Sequence, residues 1–569
     1  MKNILKFLII FFATLVLYSC SCKGTARRAP TETKGQFGGR IVISSISDPK
    51  SFNSIMAKET STTRAIGWCF EGLTETDGVT TEVKPCLAES WQISLSGLEW
   101  IFKLRRDVKW FDGKQFTADD VVFTFEKLIC NDDIPSSSRD IFVIDGQEIK
   151  VEKIDDWTVK FILPKPFAPF LRQLGQEILP KHILGKSVLE KKFTSTWGVN
   201  TDPSEIVGTG PFYLKEYVPS QKLVLEKNPY YWRKDKDGKQ LPYLDQLVIL
   251  IVPDQDAELL KFQSGEIDIL SPRGQDFSLL KVEEKEGNFT LYNCGPTFGT
   301  NFLVFNQNPN AVKHPKIDWF TNVEFRRAVA HLIDKDSIIN NIMSGLAFPQ
   351  HSAMEKAAVF FYNDNVKKYD YNIPKAKEIL SAAGFADKNK DGFLEDKNGN
   401  VVEFTILTNS ENKEREQIGN IIADDLRKAG IKITFAPIQF NALVNKLDNP
   451  PFDWDAIIIG LTGGIEPHSG MNVWMSSGQL HMWHPRQKKP VTSWEKEIDD
   501  LYNRGASELN EEKRKEIYSR WQEIAAEQLP FIYTVNPAAI YAVRNKFGNL
   551  KPSAYGGAMH NIWEIYISE

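Results

Sequence analysis

The chain has 569 residues, of which 42% are hydrophobic and 14 are tryptophan, and its formal net charge is -5. This length predicts roughly three or four domain-sized units, and the composition excludes disorder for most of the chain. The weak negative charge, without a basic stripe that carries interleaved aromatic residues, argues against nucleic acid as a partner.

The N-terminal segment is typical of an export signal. Lys2 and Lys6 flank the start of an apolar run over residues 7–17, which is too short to span a bilayer. We therefore interpret residues 1–20 as a signal segment. Residues 21–36 lack apolar periodicity and are rich in Thr, Lys, Arg and Gly, so we expect them to form a flexible tether.

The end of the apolar run resembles the signal of bacterial lipoproteins. It reads Leu17-Tyr18-Ser19-Cys20, and in that class the cysteine becomes the lipidated first residue of the mature protein. The resemblance implies lipidation at Cys20 and a mature protein that is anchored to a membrane outside the cytoplasm. An ordinary signal peptide is the alternative, and Cys22 is a second candidate for the lipid. No other stretch has the ~18 consecutive apolar residues of a membrane-spanning helix.

The remaining cysteines are Cys69, Cys86, Cys130 and Cys294, and they show no Cys-x-x-Cys spacing. An exported protein can form disulfides. Cys69 and Cys86 are the nearest pair along the chain, but the sequence leaves the pairing open.

Beyond the tether, short apolar stretches alternate between strand and helix periodicity. Strands are predicted at residues 39–44, 99–104, 157–163, 212–214, 223–225, 248–252, 405–407, 431–433, 456–459, 531–535 and 562–567. Helices are predicted at residues 60–71, 254–263, 325–333, 374–383, 418–429 and 511–526, with Arg326 and Arg327 on the outer face of the third. This alternation is typical of an α/β fold.

The segment from Gly208 to Trp232 has the pattern of a β-hairpin. Gly208, Gly210 and Pro211 form an entry in which ordinary residues would be strained, and residues 218–221 separate the two strands. The segment carries no nucleophile or metal cluster. We therefore interpret it as a structural hairpin that locks a lobe where the chain returns to that lobe.

Common enzyme motifs are absent from the sequence. There is no Gly-x-Ser-x-Gly, no His-Glu-x-x-His and no Gly-x-x-x-x-Gly-Lys-Ser/Thr. The acidic pair Asp119 and Asp120 follows Thr117 at a helix start, where capping explains the carboxylates better than catalysis does. We assign no catalytic residue, although an acid–base pair among the 74 carboxylates stays an alternative.

Three histidines have a spacing that occurs in metal sites. His468, His481 and His484 lie close along the chain, and the last two have an H-x-x-H spacing. They fall in a Gly/Ser/Pro-rich loop, and no carboxylate or thiolate completes the ligand set. We interpret them as loop and pocket residues.

An acidic stretch resembles part of a calcium loop. Residues 387–392 match the first half of such a loop, with Glu395 at the ninth position. The twelfth position holds Asn398 instead of the bidentate glutamate that the loop normally needs. We interpret the stretch as an acidic turn and assign no metal and no cofactor.

The stretch after the predicted buried strand at 456–459 is the leading candidate for a binding site. In open α/β sheets, ligands collect beyond the carboxyl ends of the strands. Glycines leave backbone groups accessible there, and Glu466 adds a negative charge. The alternative is a glycine turn with a surface carboxylate. The predicted contacts are Gly460, Leu461, Thr462, Gly463, Gly464 and Glu466.

Several motifs, in the right order along the chain, together resemble the extracellular solute-binding proteins of family 5. This family includes the oligopeptide, dipeptide and nickel receptors of ABC importers. The motifs are Leu87-Ala88-Glu89-Ser90-Trp91, Phe111-Asp112-Gly113-Lys114, Thr117-Ala118-Asp119-Asp120-Val121-Val122-Phe123, Gly208-Thr209-Gly210-Pro211-Phe212, Asn228-Pro229-Tyr230-Tyr231-Trp232, Ser264-Gly265-Glu266-Ile267-Asp268 and Arg327-Ala328-Val329-Ala330-His331-Leu332-Ile333-Asp334.

The resemblance implies an α/β fold of the type II periplasmic-binding-protein kind. In that fold two lobes close over a ligand, and this family adds a further domain inserted in the first lobe. The expected boundaries are residues 37–78, 205–295 and 529–569 for lobe I, residues 79–204 for the inserted domain and residues 296–528 for lobe II.

The resemblance also bears on the ligand. In peptide-binding members, an Asp in the loop after the strand at 456–459 pairs with the amino terminus of the ligand. The loop here contains Gly463 and Gly464 and lacks that Asp, while Glu466 stands before the proline as a substitute. Thr60, at the start of the first predicted helix, is also among the expected ligand contacts.

The resulting expectation is a monomeric, lipid-anchored receptor that captures a small peptide and delivers it to the permease of an ABC transporter. Main-chain hydrogen bonds would hold the peptide as in strand addition, and a hinge motion would close the lobes. One alternative is the same fold with a metal chelate or opine as solute, contacted by His468, His481 or Glu466. The other is an exported hydrolase.

Overall fold

The computed structural model describes residues 35–144 and 146–568. The predicted signal segment, the lipidation site at Cys20, its alternative Cys22 and most of the tether lie outside these residues. Within them, strands and helices alternate along the chain, and the two-lobed α/β fold expected from the resemblance is confirmed. None of the helices in the described ranges has the length and apolar character needed to cross a membrane.

The strands of the first half of the chain pair mostly with antiparallel neighbours. They are β1 (Arg40–Ser45), β2 (Thr74–Thr76), β3 (Val83–Pro85), β4 (Ala88–Ile93), β5 (Glu99–Leu104), β6 (Val143–Ile144), β7 (Gln147–Glu148), β8 (Lys150–Asp155), β9 (Thr158–Ile162), β10 (Phe212–Val218), β11 (Lys222–Lys227) and β12 (Gln246–Ile251). The later strands are β13 (Ile269–Leu270), β14 (Phe289–Pro296), β15 (Gly299–Phe305), β16 (Ala347–Pro349), β17 (Glu403–Asn409), β18 (Lys432–Ile438), β19 (Ala456–Thr462), β20 (Phe531–Tyr533), β21 (Val535–Arg544), β22 (Phe547–Gly548) and β23 (Tyr566–Ile567).

The helices are short in the first half of the chain and longer in the second. They are α1 (Thr60–Ile66), α2 (Ala118–Val122), α3 (Ser137–Phe142), α4 (Phe170–Gln173), α5 (Lys181–Leu189), α6 (Gln255–Gln263), α7 (Gly274–Glu283), α8 (Lys316–Thr321), α9 (Val323–Ala330), α10 (Lys335–Ser337), α11 (Ile373–Ala382), α12 (Lys413–Lys428), α13 (Phe440–Asp448), α14 (Met471–Trp474), α15 (Ser493–Ser507) and α16 (Glu511–Gln528). Short π-helical or 3-10 turns lie at Phe123–Ile129, Phe193–Ser195, Pro203–Glu205, Ile338–Ile342, Lys356–Ala358, Pro467–Gly470 and Ile562–Glu564.

The first lobe is organised around a four-stranded sheet with the order β1-β12-β11-β10. β1 pairs with β12 in parallel, and the other neighbours are antiparallel. Ile41, Leu225 and Leu247 from this sheet are buried in one hydrophobic core. Phe102 and Phe161 extend the same core into the antiparallel sheet β4-β5-β9-β8. The segment between β1 and β10 therefore shares its core with the first lobe.

The predicted hairpin is confirmed as the antiparallel pair β10 and β11. The reason for its glycines differs from the prediction, because neither Gly208 nor Gly210 has a left-handed backbone. A methyl group on Gly208 would overlap the backbone carbonyl of Cys69, and one on Gly210 would overlap that of Trp68. Close approach of two backbone segments, not backbone strain, therefore requires glycine here.

The same contact shortens the first helix. The prediction of a helix to residue 71 is wrong, because α1 ends at Ile66. The Trp68 carbonyl accepts a hydrogen bond from the Phe212 N–H at 3.2 Å, and the Cys69 carbonyl accepts one from the Gly210 N–H at 2.9 Å. These carbonyls accept hydrogen bonds from the entry of the hairpin and not from a continued helix.

The second lobe is organised around a five-stranded sheet with the order β18-β17-β19-β15-β20. Its central strand β19 alternates strictly between two cores. Ala456 and Ile458 face one core, whereas Ile457 and Ile459 face the other. Both faces of the strand are covered, which explains why the sequence of β19 is a continuous apolar run and not an alternating one.

Strand β21 belongs to both lobes. Its first residues, Val535–Pro537, pair with β16, and the following residues pair with β14 and β13. Just before it, Thr534 links to the second lobe because its N–H and its hydroxyl both donate to the Asn301 carbonyl. The prediction of one strand over 531–535 is therefore corrected to two strands that meet at Thr534.

Two further predictions are wrong. Arg326 is not on an outer face but is buried, and its guanidinium donates to the carbonyls of Phe320 and Gln528. Gln528 is the last residue of α16, so the cation satisfies an end carbonyl that has no partner inside its own helix. The predicted strand at 562–567 is a 3-10 turn followed by β23.

Cys69 and Cys86, the pair nearest along the chain, do not form a disulfide. Cys69, Cys86 and Cys130 are free and buried, and Cys294 is in a disulfide. Burial raises the pKa of both the Cys69 and the Cys130 thiol to about 12. These two thiols therefore stay protonated at neutral pH and behave as small apolar core residues.

Candidate ligand-binding site

A cavity of about 570 Å³ lies on the first lobe at the boundary between the lobes. Its volume is within the range of about 300–1,000 Å³ that is usual for small-molecule pockets. Its walls come from β1, α1, α6, β21 and the segment at residues 555–559. Thr60, one of the predicted ligand contacts, is part of this wall.

One face of α1 lines the cavity. The lining residues Thr60, Thr63, Arg64 and Gly67 are spaced three and four positions apart, so they share one side of the helix. The opposite side, which includes Ala65, is buried in the core of the first lobe. The helix therefore presents hydroxyl groups and one cation to the cavity.

Arg64 and Glu258 give the cavity two opposite charges. An Arg64 Nη1 donates to the Ser44 carbonyl at 3.2 Å, and the Ser44 hydroxyl donates to Glu258 Oε1 at 2.6 Å. Burial raises the pKa of the Glu258 carboxyl. Ser44 thus bridges the two groups, while the exposed Arg64 side chain leaves donors that are available to an anionic group.

The cavity reaches the second lobe through an aromatic contact. Tyr555 lines the cavity, and its ring meets the ring of Phe298 edge-on, with centroids 5.4 Å apart. The Phe298 carbonyl in turn accepts a hydrogen bond from the Gly463 N–H at 2.5 Å. Tyr555 and Phe298 therefore connect the cavity wall to the end of β19.

The predicted site after residue 459 begins inside a strand. Gly460, Leu461 and Thr462 are the last residues of β19, where they pair with Asn301, Thr300 and Gly299 of β15. The prediction that a loop starts at Gly460 is therefore corrected. These strand residues lie on the second lobe, and none of them is among the lining residues of the cavity.

Gly460 permits a close approach of polar groups. A methyl group at this position would lie 2.6 Å from the Thr300 carbonyl oxygen and 2.9 Å from Arg415 Nη2. The Arg415 guanidinium also donates to Asn301 and Asn409 at 3.0 and 2.6 Å. A half-buried cation therefore lies beside the end of β19, and desolvation lowers its pKa to about 10.

Gly463 lies directly under a carboxylate. A methyl group on Gly463 would lie 2.5 Å from Glu355 Oε2 and 2.7 Å from Oε1. Glu355 follows β16 and is 4% exposed, and burial raises the pKa of its carboxyl to about 8. Gly464, in contrast, has open space around the position of its missing side chain.

Glu466 is not a free negative charge. Its Oε1 accepts from Arg514 Nη2 at 2.6 Å and from the His468 N–H at 3.1 Å, and both carboxylate and guanidinium are buried. A side chain that caps a short helix and pairs with an internal arginine has its charge already compensated. Glu466 is the acidic residue among the predicted contacts, and its pairing with Arg514 gives it a structural role.

The three candidate histidines do not form a shared ligand set. His468 packs against Phe167 with ring centroids 5.0 Å apart, whereas His481 lies over Trp483 with centroids 3.9 Å apart. His481 Nε2 is 3.7 Å from Glu495 Oε1. His468 and His481 are therefore buried packing residues, and neither of them lines the cavity, as the interpretation as pocket residues would require.

The acidic turn at residues 387–398 brings three carboxylates together. Oxygen atoms of Asp387, Asp391 and Glu395 lie within 4.8 Å of one another. All three groups already accept backbone hydrogen bonds, Asp387 from Gly392, Asp391 from Phe393 and Glu395 from Lys388. The turn connects α11 to β17 and lies outside the residues that line the cavity.

The acidic pair at the start of α2 has structural partners. Asp120 and Thr117 form a reciprocal capping box, as the sequence predicts. Asp119 pairs with Lys153 at 2.5 Å and with Lys181 at 2.8 Å. Capping and ion pairing therefore account for both carboxylates.

The two lobes contact each other across the cleft. Gln173 Nε2 donates to Ser469 Oγ at 2.9 Å, and the Glu414 N–H donates to Gln255 Oε1 at 3.1 Å. In both pairs the first lobe or its inserted segment meets the second lobe. These hydrogen bonds link the two lobes directly.

Sequence reasoning missed Arg64 and Glu355. Arg64 lies four positions after Thr60, so helical spacing from a predicted contact residue was a usable signal. Glu355 lies in an irregular segment without a motif, and it reaches Gly463 only through the tertiary fold. No pattern in the sequence indicates that proximity.

Comparisons with known proteins agree with this architecture. A "Probable ABC transporter-binding protein" of Deinococcus radiodurans is 32% identical over 520 residues, which are 87% of this chain and 86% of that protein. The "Oligopeptide-binding protein AppA" of Bacillus subtilis is 29% identical over 551 residues, 94% of this chain and 93% of that protein.

A solved structure of Bacillus subtilis AppA in complex with a nonapeptide superposes with a TM-score of 0.82. It is 27% identical and covers 94% of this chain and 100% of that chain. The family model of the bacterial extracellular solute-binding proteins, family 5 (middle part), matches residues 82–481, which are more than half of the chain. The chain therefore belongs to family 5 of the bacterial extracellular solute-binding proteins.

Proposed function

We propose that this protein is the peptide-capturing receptor of an ABC importer. The family supports the solute-binding role, and the peptide is our assignment of the solute. In this proposal the peptide lies between the two lobes and is handed, on opening, to the permease of the transporter. Ligand contacts with both lobes bias the protein toward the closed state.

The observation that carries the proposal is the pairing of a polar cavity with glycine-rich backbone at the same lobe boundary. The cavity offers Arg64 for a carboxylate, and the opposite lobe offers the end of β19 from Gly460 to Gly464. A peptide has a carboxylate and a row of backbone donors and acceptors. Recognition through main-chain hydrogen bonds accepts many side chains, as strand addition does.

The contact residues in this proposal are Thr60, Gly460, Leu461, Thr462, Gly463 and Gly464. Thr60 contributes from the cavity wall on the first lobe, and the others contribute from the second lobe. Glu466 acts indirectly, because its pair with Arg514 fixes the turn that follows Gly464. The likeness to a relative that was solved with a nonapeptide supports a peptide of several residues.

Mass spectrometry of ligand released from freshly purified protein tests the assignment. We expect intact peptides, and calorimetry with a random library of tri- to pentapeptides should then give saturable binding. A metal chelate, an opine or another non-peptide solute in the released fraction would replace the peptide assignment. Cleavage products of the added peptides would favour the exported hydrolase instead.

The cellular part of the proposal is that a lipid at Cys20 anchors the receptor, as a monomer, outside the cytoplasm. Cys20 follows the apolar run that resembles a lipoprotein signal. Fractionation of cells that express wild type and Cys20→Ala tests it, with Cys22→Ala as the matched control. Wild type and Cys22→Ala are expected in the membrane fraction, and equal partition of all three proteins would contradict the anchor.

A further inference from the structure

The inserted segment, expected at residues 79–204, reaches across to the second lobe. Hydrogen bonds to that lobe start from three separate places in the segment, namely α3, the turn before α4 and the end of α4. Each bond is 2.9 Å long, and they run from the Gln479 N–H to Asp140 Oδ2, from the Ala168 N–H to the Ala506 carbonyl and from Gln173 Nε2 to Ser469 Oγ. The contact is therefore spread over both partners.

The contact has an apolar centre. The rings of Phe167 and His468 meet edge-on with centroids 5.0 Å apart, and each residue is 2% exposed. Ala506 is equally buried and belongs to the same hydrophobic core as Phe167. This core contains side chains from both partners, so their separation would expose apolar surface to water.

The inserted segment also completes the end of a helix of the second lobe. The last carbonyls of a helix have no partner inside that helix. In α15, the Gly505 carbonyl accepts from Arg514 Nε at 2.9 Å, and the next carbonyl, that of Ala506, accepts from the Ala168 N–H. One of these two donors comes from the second lobe itself and the other from the inserted segment.

The contact lies next to the glycine-rich end of β19. His468 and Ser469, which meet the inserted segment, belong to the short turn Pro467–Gly470. This turn begins three residues after Gly464, and the Glu466 carboxylate accepts the His468 N–H at 3.1 Å. A movement of the second lobe away from the inserted segment therefore acts on the turn that follows the proposed solute contacts.

His468 takes part in this contact as a neutral ring. Burial and the nearby Arg514 guanidinium lower the pKa of His468 to about 3, and the backbone of Ile141 opposes them with a smaller effect. Ile141 belongs to α3 of the inserted segment. The ring is therefore uncharged at neutral pH and packs as an apolar group between the two partners.

We propose that the inserted segment is a clasp on the second lobe, which holds the lobes together while solute is bound and separates before the solute leaves. This inference rests on the proposed function, in which the solute lies between the lobes. It gives the inserted segment a part in retaining the solute without contacting it. The clasp slows release and leaves association unchanged, because association starts from separated lobes.

A reversible crosslink across the contact tests the clasp. Chain segments that are joined by backbone hydrogen bonds lie about 5 Å apart, a distance that a disulfide spans. The double variant Ala168→Cys with Ala506→Cys is made in the full-length mature protein, loaded with a radiolabelled library of random pentapeptides and oxidised. The label that is retained after dilution gives the release rate, before and after reduction. The two single variants, oxidised in the same way, are the matched controls, because they also contain the buried Cys69, Cys86 and Cys130.

We expect the oxidised double variant to release the library at least about a hundredfold more slowly than its reduced form, since lobe opening then limits release. The single variants should release it at the wild-type rate. Equal release from the crosslinked and the reduced form would overturn the clasp, and the receptor function would stand. Failure of the disulfide to form in the loaded protein would overturn the contact itself.

A second set of variants needs no crosslink. Gln173→Ala and Ser469→Ala each remove one partner of the same hydrogen bond, and each should speed release by about two- to tenfold. Both substitutions together should be no faster than either alone, because only one bond is lost. Gln92→Ala, at an exposed position of β4 in the same segment, is the matched control, and thermal unfolding shows that each variant is folded. Wild-type release from both single variants would contradict the clasp.

The clasp can be judged separately from the peptide assignment. If wild type retains none of the library, the peptide function fails, and small-angle scattering of the ligand-free double variant then tests the clasp. A smaller radius of gyration in the oxidised than in the reduced form supports the clasp, and equal radii reject it.

Discussion

Arg514 and Glu466 form a buried ion pair, with Nη2 and Oε1 2.6 Å apart, at the turn that follows the end of β19. Arg514 also donates to the Gly505 carbonyl at 2.9 Å, so the pair ties the turn to the helices α15 and α16. The acidic residue that the sequence offers as a ligand contact is thereby part of the scaffold. The pair therefore holds the turn that follows Gly464 in place.

Removing both partners of this pair should lower the free energy of unfolding by less than the sum of the two single removals. Arg514→Met leaves Glu466 buried without a cation, which costs about 3–5 kcal/mol of unfolding free energy. The double variant Arg514→Met with Glu466→Met removes the stranded charge, so its loss should be smaller than the sum of the single losses. Urea unfolding of the three variants measures this coupling. Strictly additive losses would contradict the ion pair.

The space beside Gly463 should matter for binding more than the space beside Gly464. A methyl group on Gly463 would push the Glu355 carboxylate away, whereas one on Gly464 meets nothing within 4 Å. Gly463→Ala is therefore expected to weaken peptide binding by about ten- to a hundredfold, the loss of one or two main-chain hydrogen bonds that we propose between the end of β19 and the peptide. Gly464→Ala is the matched control, and calorimetry compares the two. Equal affinities would place the ligand elsewhere.

The stability of the ligand-free protein should fall with rising pH because of Glu355. Its carboxyl has a pKa of about 8 when folded and about 4.5 when exposed by unfolding. Between these values the folded state keeps a proton that the unfolded state has lost, so each pH unit costs up to about 1.4 kcal/mol. Glu355→Gln has no such proton.

Unfolding experiments from pH 4 to pH 9 measure that difference. The stability of Glu355→Gln relative to wild type should rise through the window from about pH 4.5 to about pH 8 and stay constant above it. Glu378→Gln, which is exposed on the same lobe, serves as the control. A constant difference between Glu355→Gln and wild type across the whole range would contradict the burial of an unpaired carboxyl.

The hairpin should be intolerant of one added carbon at its entry. Gly208→Ala places a methyl group against the backbone carbonyl of Cys69, and neither group can rotate away. We expect a loss of at least about 1–3 kcal/mol, the usual cost of overpacking. Gly185→Ala in α5 is the control, since open space surrounds that position and alanine favours a helix by about 0.5–1 kcal/mol. Thermal unfolding separates the two outcomes.

Much of the secondary structure was predictable because its signals are local. The strand at residues 99–104 and the capping box of Thr117 and Asp120 agree with the structure, since periodicity and capping act between near neighbours. The end of α1 and the burial of Arg326 were not predictable. Both depend on partners more than a hundred residues away, the hairpin entry for the one and the end of α16 for the other.

The sequence by itself determined the family, the α/β class and the position of the glycine-rich stretch at the end of a buried strand, because short motifs and periodicity carry these properties. The tertiary structure decided which charges are compensated and which of them line the cavity. It paired Glu466 with Arg514, turned Arg64 into the cavity and brought Glu355 over Gly463. Whether a carboxylate is compensated depends on groups that folding brings near it, and separation along the chain does not reveal those groups.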